Sequence, residues 1–303
     1  MVVSKLPCTK RTGHLTGTGR SYLEPKHTDT YPYIDSTKAD MSGKTVLVTG
    51  ASKGVGKAIA LSYAKAGVSN IAILARTDLT LIVKEVEEAA KQVNRPQPKI
   101  TTIKCDITSA EDCAHAAKQV EQAFGGLDIL INNAGYLETW KKIADSDPDD
   151  WWRSFEVNVK GVYLMCRAFL PLLLKRGDKT IITVSSGGAH VISPRASSYQ
   201  TTKQVQLRFT DFLCAEYGSE GLLAYSIHPG GIKTDLGSGM PEDMHFLLKD
   251  EPGLPGDTVV WLTKEKRYWL ADRYVSVQWD MEELESKRQD IEDRNLLRVR
   301  LRT

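Results

Sequence analysis

Short apolar runs rich in β-branched residues alternate with helix-like stretches from residue 44 onwards, and this alternation constrains the fold more than any other feature. The predicted strands are Thr45–Thr49, Asn70–Leu74, Lys99–Lys104, Leu127–Ile131, Thr180–Val184 and Leu223–Ile227. The longest predicted helices are Ala110–Phe124, Asp149–Arg176 and Ser198–Tyr217. Strands joined through helices by short connections are typical of a parallel sheet that is buried on both faces. The sequence therefore predicts an α/β fold with one doubly wound parallel sheet and helices on both of its faces.

The flanking segments divide the chain into three predicted parts. Residues 1–42 lack helical or strand periodicity, so we interpret them as an N-terminal extension that is either disordered or docked on the surface. Because the first 23 residues are basic and free of acids, a transit peptide is the alternative, but the glycines in this stretch disfavour its amphipathic helix. Residues 43–280 hold the strand–helix alternation and form the predicted main domain. Residues 281–303 form a charged, helical C-terminal tail, which we expect to be solvated, with an intersubunit arm as the alternative. The apolar side chains on one side of this tail are Met281, Leu284 and Ile291.

The regular alternation stops after Thr234. Residues 235–253 are rich in glycine and proline, and this irregular composition predicts a lid over a ligand site. The apolar side chains of this lid are Met240, Met244 and Phe246. Beyond the lid, the pattern predicts a helix over Thr258–Leu270 and a final strand over Tyr274–Trp279.

Charge and cysteine content exclude several classes of protein. The 40 basic residues nearly balance the 38 acidic ones, so no global field favours nucleic acid or an anionic membrane. The 5 cysteines include no Cys-x-x-Cys pair, which indicates reduced thiols and a cytoplasmic location. The longest apolar runs, such as Phe169–Leu174, are too short to span a bilayer. We predict no metal site, because the histidines lack metal-like spacing. We expect loop or packing roles for His190, His228 and His245, and His190 is also a candidate for the wall of the ligand site.

A glycine-rich turn follows the first predicted strand and begins a helix near Val55. Gly50 suits a tight turn, Gly54 lets the backbone approach a phosphate, and Gly56 lets the helix pack closely on the sheet. The amides at the start of that helix would face the anion, and Ser52 lies in the same turn. An ordinary strand–helix turn is the alternative. The strand–turn–helix context favours a dinucleotide, and with it a Rossmann-like sheet, although the spacing is longer than the Gly-x-Gly-x-x-Gly fingerprint.

The end of the second predicted strand decides between NAD and NADP. An acidic residue there would bind the ribose hydroxyls and repel a 2′-phosphate. This sequence instead has Ala75 followed by Arg76, and Lys53 in the glycine turn adds a second cation. The alternative interpretation is that both cations are solvated surface charges without a ligand. We predict that they favour NADP(H), since a guanidinium suits bidentate contact with a phosphate.

Tyr199 and Lys203 lie one turn apart on the same face of a predicted helix, and Ser186 precedes the tyrosine by thirteen residues. A tyrosine with an ordinary pKa is a poor acid or base at neutral pH. We expect the Lys203 ammonium and an oxidised nicotinamide to lower the pKa of Tyr199. Tyr199 would then protonate a carbonyl oxygen, or take the proton of an alcohol, while Ser186 hydrogen-bonds that oxygen. Ser185 is the rival serine, and each of these residues taken alone has an ordinary structural explanation.

The motifs together resemble those of the short-chain dehydrogenases/reductases over about residues 43–280. The matching set, in order along the chain, is Thr49-Gly50-x-x-x-Gly54-x-Gly56, Asn132-Asn133-Ala134-Gly135, Asn158, Ser186, Tyr199-x-x-x-Lys203 and Pro229-Gly230. The segment Trp279–Leu284 also resembles a group that is frequent in filamentous fungi. The resemblance implies that Lys203 also holds the nicotinamide ribose, that Tyr199 contacts the same cofactor, and that Asn158 takes part in a water-linked proton relay.

The resemblance also implies a set of further cofactor contacts. Residues after the third and fourth predicted strands would border the adenine and its ribose: Asp106, Ile107, Asn133, Ala134 and Gly135. Residues after the sixth would pass beside the nicotinamide: Pro229, Gly230, Ile232 and Thr234. Members of the family often form homodimers or homotetramers through the helices that carry Asn158 and Tyr199.

The function predicted from the sequence is an NADP(H)-dependent oxidoreductase that reduces a ketone or aldehyde to an alcohol, reversibly. Its substrate would be a hydrophobic small molecule, because the predicted lid carries methionines and a phenylalanine. An NAD-dependent alcohol dehydrogenase is the alternative within enzymes. An NADPH-binding sensor or scaffold without turnover is the alternative from another class, and a cyclisation or epimerisation is a further one.

Overall fold

The computed structural model describes residues 22–175 and 177–301, and its centre is one sheet of seven parallel strands. The strands are β1 (Thr45–Thr49), β2 (Asn70–Ala75), β3 (Lys99–Lys104), β4 (Ile129–Asn132), β5 (Thr180–Val184), β6 (Leu223–His228) and β7 (Tyr274–Ser276). Their order across the sheet is β3-β2-β1-β4-β5-β6-β7. This order confirms the predicted doubly wound sheet, and its reversal between β1 and β4 creates a crevice at the carboxyl ends of the strands.

Helices cover both faces of the sheet. They are α1 (Gly54–Lys65), α2 (Thr80–Gln92), α3 (Ala110–Phe124), α4 (Pro148–Phe155), α5 (Val162–Lys175), α6 (Ser197–Tyr217), α7 (Asp235–Ser238), α8 (Gly253–Thr263), α9 (Met281–Ser286) and α10 (Arg288–Asp293). Along β1, Val46 and Val48 pack into the layer that holds α1, α2 and α8, whereas Leu47 packs into the layer of α3 and α5. Successive side chains of a strand point to opposite faces, so a fully apolar strand is buried on both.

The predicted long helix Asp149–Arg176 is interrupted. Between α4 and α5 the backbone forms a π-helical turn over Glu156–Gly161, and this turn carries Asn158. A Cβ on Gly161 would lie 2.7 Å from the side chain of Ile107, so the glycine allows close packing here. By length and composition the stretch Pro148–Lys175 could cross a bilayer, but 61% of its most apolar window is buried inside the fold, as in a core helix.

The described part of the N-terminal extension, residues 22–42, is docked on the domain. Leu23, Ile34 and Met41 are fully buried in the same apolar cluster as α1 and α8. The backbone N–H of Met41 donates to the carbonyl of Ala66 over 2.9 Å, next to the end of α1. Residues 1–21, which hold the rest of the predicted extension, lie outside the described residues.

The C-terminal tail differs from the solvated helix that we expect from its charge. It forms two short helices, α9 and α10, and is then irregular up to residue 301. Met281, Leu284 and Ile291 are fully buried within the main core. The three apolar residues do share one side, as predicted, but that side covers the sheet and not water. The expectation of a solvated tail is therefore wrong.

The elements just before the tail also differ from their predicted bounds. The helix predicted over Thr258–Leu270 is α8, which begins at Gly253 and ends at Thr263. Nearly all of α8 is buried, from Leu254 to Thr263, so its sequence lacks the one-sided periodicity that marks a surface helix. The final strand β7 is shorter than predicted, because the N–H of Trp279 donates to the carbonyl of Ser276 and turns the chain.

Candidate active site

Two adjoining cavities open at the carboxyl ends of the strands. The first has a volume of ≈ 300 Å³ and lies over β1, β2 and β4, and the second has ≈ 320 Å³ and lies between β5, β6 and the segment 235–253. Tyr199 lines both cavities, as do Pro229 and Thr234. A reactant in one cavity and a reactant in the other would therefore meet at the Tyr199 side chain.

Ser186, Tyr199 and Lys203 converge at this junction. The Ser186 side chain lies close enough to the Tyr199 hydroxyl to lower its pKa, and the Ser186 hydroxyl accepts the backbone N–H of Gly188 over 2.9 Å. The Lys203 ammonium nitrogen lies 5.5 Å from the centre of the Tyr199 ring and donates to the carbonyl of Val184 over 2.7 Å. The extended end of β5 and the first turn of α6 thus bring the three side chains together.

The neighbouring serine has a different role. Ser185 is buried, and its hydroxyl donates to the backbone carbonyl of Lys203 over 2.8 Å. That bond ties the end of β5 to α6 and directs the hydroxyl away from Tyr199. Of the two candidate serines, the structure brings Ser186 to the tyrosine.

The pKa values at this junction differ from the sequence expectation. Burial raises the pKa of Tyr199 to about 12, and the Ser186 side chain only partly offsets that rise. Burial also lowers the pKa of Lys203 to about 7. Lys203 therefore does not by itself lower the Tyr199 pKa, because the same desolvation that disfavours the phenolate also disfavours the ammonium, and the lowering expected from an oxidised nicotinamide stays a prediction.

Asn158 holds the loop after β4 against α6. Its Oδ1 accepts the backbone N–H of Tyr136, and its Nδ2 donates to the Tyr136 carbonyl, each over 2.8 Å. The same Nδ2 donates to the hydroxyl of Thr202 over 3.0 Å, one residue before Lys203. The backbone carbonyl of Asn158 accepts from Gln206 over 2.7 Å. The π-helical turn thus places Asn158 beside the catalytic helix, where all its amide groups are used.

Glu138 is a part of this site that sequence reasoning missed. It is 3% exposed, and its carboxylate accepts the backbone N–H of Ser198 over 3.1 Å and that of Tyr199 over 2.9 Å. The Ser154 hydroxyl donates to the same carboxylate over 3.3 Å. Helix α6 has no capping side chain of its own at Ala196, so Glu138 satisfies amides of its first turn. A lone acid in the stretch Tyr136–Trp140 was the only signal in the sequence, and it named no partner.

The glycine turn has the geometry that the sequence predicts. Gly50 and Gly54 have positive φ angles of 64° and 59°, which few other residues adopt. A Cβ on Gly56 would overlap the Gly50 carbonyl oxygen and the Asn133 side chain, so this glycine lets α1 pack on the turn. Asn133 in turn donates to the Thr49 carbonyl over 2.9 Å.

Most of the predicted cofactor residues line the first cavity. They are Gly50, Ser52, Lys53, Gly54, Val55, Arg76, Asp106, Ile107, Asn133, Ala134, Gly135, Tyr199, Lys203, Pro229 and Thr234. Two of the predicted residues, Gly230 and Ile232, line the second cavity instead. Gly56 lines neither, because it packs beneath the turn.

Charges at the outer end of the first cavity are mixed. Lys53 forms an ion pair with Asp235, in which both side chains are largely exposed. Asp106 accepts the N–H and hydroxyl of Thr108, and the Arg153 guanidinium lies 3.8 Å away. Partial burial raises the pKa of Asp106, but these hydrogen bonds and the charges of Arg153 and Arg76 outweigh it, so the pKa of this carboxyl is lowered. Arg76 is thus the basic wall residue nearest the end of β2, while Lys53 is shared with an acid.

The second cavity is mainly apolar. Residues of segment 235–253 line it, and the segment forms the short helix α7 and a 3₁₀ turn over Glu242–Leu247. Met240 and Met244 line the cavity, together with Leu137 and Trp140 from the loop after β4. Phe246, which we expected in the lid's apolar face, is instead 72% exposed.

The three histidines have separate surroundings. The ring of His190 packs edge-on against Tyr274 with centroids 4.5 Å apart, and it lines neither of the two cavities that meet at Tyr199. His245 donates to the Met240 carbonyl over 2.9 Å, and His228 lines the second cavity. Within residues 22–175 and 177–301, no group of three or more His, Cys, Asp or Glu side chains is placed to hold a metal ion.

Comparisons with known proteins agree with this geometry. The family model described as "short chain dehydrogenase" matches residues 44–245. The chain is 47% identical over 283 residues to "Short chain dehydrogenase mpl6" of Monascus purpureus, covering 93% of this chain and 97% of that one. It is 44% identical to "Short chain dehydrogenase pigC" of Monascus ruber, covering 90% and 91%. These relatives confirm the resemblance to a fungal group.

A solved structure of similar fold is a putative short chain dehydrogenase of Shigella flexneri complexed with NADP. Its TM-score is 0.70 at 25% identity, covering 80% of this chain and all of that one. A second, a 3-oxoacyl-[acyl-carrier protein] reductase of Brucella melitensis in complex with NAD, has a TM-score of 0.71 at 22% identity, with coverages of 78% and 95%. The fold is therefore found with either dinucleotide.

Proposed function

The chain belongs to the short chain dehydrogenase family, and on that premise we propose that it reduces a ketone or aldehyde to an alcohol, reversibly, with NADP(H). The observation that carries this proposal is the position of Tyr199, which lies beside Ser186 and lines both cavities. One cavity suits a dinucleotide and the other a small apolar molecule, so a proton donor at their junction is placed for carbonyl chemistry.

The residues of the first cavity fit a nicotinamide dinucleotide. The turn at Gly50 and Gly54 brings the backbone to the cavity wall. Lys53 precedes α1 without capping it through its side chain, so the first-turn amides are directed at the cavity mouth, where a pyrophosphate would bind. When bound there, the reduced cofactor supplies a hydride.

The residues at the junction of the two cavities position the carbonyl oxygen and supply its proton. Ser186 holds the carbonyl oxygen and Tyr199 donates its hydroxyl proton to that oxygen as it becomes an alkoxide. With a pKa of about 12, Tyr199 is protonated at neutral pH, which suits the acid's role in reduction. The Lys203 nitrogen lies 5.5 Å from the centre of the ring, and when it is protonated it offsets part of the cost of the phenolate that the transfer leaves behind.

Two features support NADP(H) over NAD(H). The residue directly after β2 is not an acid, since Ala75 is followed by Arg76, and Arg76 lines the first cavity. A guanidinium there favours a 2′-phosphate. Lys53 adds less than the sequence suggests, since Asp235 competes for its charge.

The remaining proposals concern the surroundings of the enzyme. The apolar wall around Met240, Met244 and Trp140 favours a hydrophobic substrate. Exposed aromatic side chains on α4, α5 and α6, including Trp152 and Phe212, favour a homodimer or homotetramer through these helices. The free thiols favour the cytoplasm.

Fluorescence titration with NADPH and NADH, followed by a panel of apolar ketones and aldehydes, tests the proposal. We expect tighter binding of NADPH and its oxidation in the presence of at least one carbonyl compound. Tight NADPH binding without turnover of any carbonyl or alcohol would favour the sensor or scaffold. Equal or tighter binding of NADH with alcohol oxidation would favour the NAD-dependent dehydrogenase.

A further inference from the structure

The N-terminal strap, which we define as residues 22–34, forms part of the wall of the second cavity. Lys26 pairs with Trp279 in an antiparallel bridge, and the N–H of His27 donates to the carbonyl of Gln278 over 2.9 Å. Further along the strap, the carbonyl of Thr28 accepts the N–H of Glu251 over 2.7 Å. These bonds fasten the strap to the end of the lid and to the segment after β7, so that Lys26 and Gln278 line the cavity together.

Aromatic and polar contacts hold the strap in this position. The His27 ring stacks on Tyr31 with centroids 3.6 Å apart and is paired with Asp280 over 2.8 Å. The Tyr31 hydroxyl accepts the N–H of Met281 over 2.7 Å, and Leu23 is 1% exposed. The strap is therefore built into the fold, and Lys26 has a fixed backbone position at the cavity.

The charge of the second cavity is one-sided. Among the described residues that line it, the formally charged side chains are Lys26 and Lys249, and none is a carboxylate. The nearest buried acid is Asp250, whose Oδ2 accepts the N–H of Gly231 and the amide of Gln278, each over 2.6 Å. Those donors offset the charge on Oδ2, whereas Oδ1 is buried without a hydrogen-bond partner among the described residues, and the two lysines are the charged residues of the lining itself.

We propose that Lys26 selects carbonyl substrates that carry an anionic oxygen, as a carboxylate or a phenolate, on an otherwise apolar skeleton. The inference rests on the proposed function, because the second cavity is the substrate site only if Tyr199 protonates a carbonyl there. Lys26 already pairs with Glu24 over 2.9 Å, but the Glu24 side chain is 63% exposed. An exposed pair of this kind is weak, so a substrate anion in the less polar cavity replaces Glu24 readily.

Matched substrates test this selection. The wild-type enzyme is assayed with para-acetylbenzoic acid against its methyl ester, and with para-acetylphenol against its methyl ether, each with NADPH. The quantity compared is the ratio of kcat/KM for the acidic member to that for its neutral partner. We expect this ratio to exceed one in at least one pair, and the pair that shows it distinguishes carboxylate from phenolate.

Variants then assign the ratio to Lys26. We expect Lys26→Gln to lower it by about tenfold or more, chiefly through KM, as for loss of a hydrogen bond to a charged group. Lys26→Arg should keep the preference, and Glu24→Gln should keep or increase it, because only the competing acid is removed. The same ratio in Lys249→Gln measures how much Lys249 contributes to the preference for the acidic substrate.

Two other outcomes overturn the inference in different ways. If wild type reduces acidic and neutral partners alike, or if Lys26→Gln leaves the ratio unchanged, the proposed function stands and the role of Lys26 is wrong. If no member of either pair is reduced while NADPH binds, this inference fails, and the wider panel of ketones and aldehydes decides the proposed function. Circular dichroism of each variant confirms that it is folded, and Lys26 is 38% exposed, so its replacement leaves the core intact.

Discussion

Replacement of Glu138 should affect both the stability and the pH profile of the enzyme. Its buried carboxylate accepts the N–H groups of Ser198 and Tyr199 at the start of α6. Hydrogen bonds to charged groups contribute about 1.5–3 kcal/mol each. Glu138→Ala removes two of them, so we expect the free energy of unfolding to fall by about 3 kcal/mol or more. Glu138→Gln keeps one of the two accepting oxygens but turns its NH2 group towards the other N–H, so it should cost about 1.5–3 kcal/mol.

The charge of Glu138 also acts on the proton donor. Burial, the largest cause, and the Glu138 carboxylate both raise the pKa of Tyr199, whereas Ser186 lowers it. Loss of that charge in Glu138→Gln should therefore lower the Tyr199 pKa. In alcohol oxidation Tyr199 must accept a proton, so the rate rises as the pH passes its pKa. The rising limb should move to lower pH in this variant.

The assay is the pH dependence of kcat/KM for alcohol oxidation, beside urea unfolding of the same variants. Glu111→Gln, an exposed acid in the first turn of α3, is the matched control and should leave both measurements as in wild type. A limb that stays in place or moves to higher pH in Glu138→Gln would refute the electrostatic argument. An unchanged free energy of unfolding in Glu138→Ala would refute the capping argument.

Three further predictions follow from single contacts. Arg76→Asp should weaken NADPH binding by about tenfold or more relative to NADH in a fluorescence titration, since it places an acid beside a 2′-phosphate, whereas unchanged NADPH turnover would favour NAD. Gly56→Ala should lower the free energy of unfolding by about 1–3 kcal/mol, as its Cβ overlaps the glycine turn. Gly218→Ala, where a Cβ meets open space, is its control, and equal stability of the two would contradict the packing. Leu284→Ala should lower the free energy of unfolding by about 2–5 kcal/mol in urea. An unchanged free energy of unfolding would favour a solvated tail.

The sheet was predictable from the sequence because its local signals agree with its environment. The bounds of β1, β3 and β5 match the apolar runs, since the parallel arrangement leaves such runs short and bounded by loops. Helix α3 also matches, because Ser109 caps its N-terminus and Gly125 ends it with a φ of 73°. These ends are set by neighbours within a few residues in the chain.

Elements whose burial comes from distant segments were not predictable in the same way. Helix α8 is covered on nearly every side, by α1 among others, so no polar face marks its bounds. The tail carries many charges, which indicate solvent, yet Met281, Leu284 and Ile291 complete the core. The strap covers these C-terminal segments, and a single sequence does not show which segments meet.

The same distinction holds at the site. The ordered motifs predicted that residues at the ends of β1, β4 and β5 meet, because parallel strands end at one edge of a sheet. Partners far apart in the chain were missed, as with Lys53 and Asp235, or Glu138 and Tyr199. The Tyr199 pKa was misjudged for a related reason, since desolvation depends on packing and not on the presence of a nearby lysine.

The most direct test of the account is Tyr199→Phe, which removes the hydroxyl and keeps the ring. We expect NADPH to bind as in wild type, because the other residues of the first cavity are intact. Carbonyl reduction should fall by about 10²–10⁴-fold, the usual contribution of a positioned general acid. Turnover close to that of wild type in a folded, NADPH-binding Tyr199→Phe enzyme would contradict the claim that Tyr199 supplies the proton.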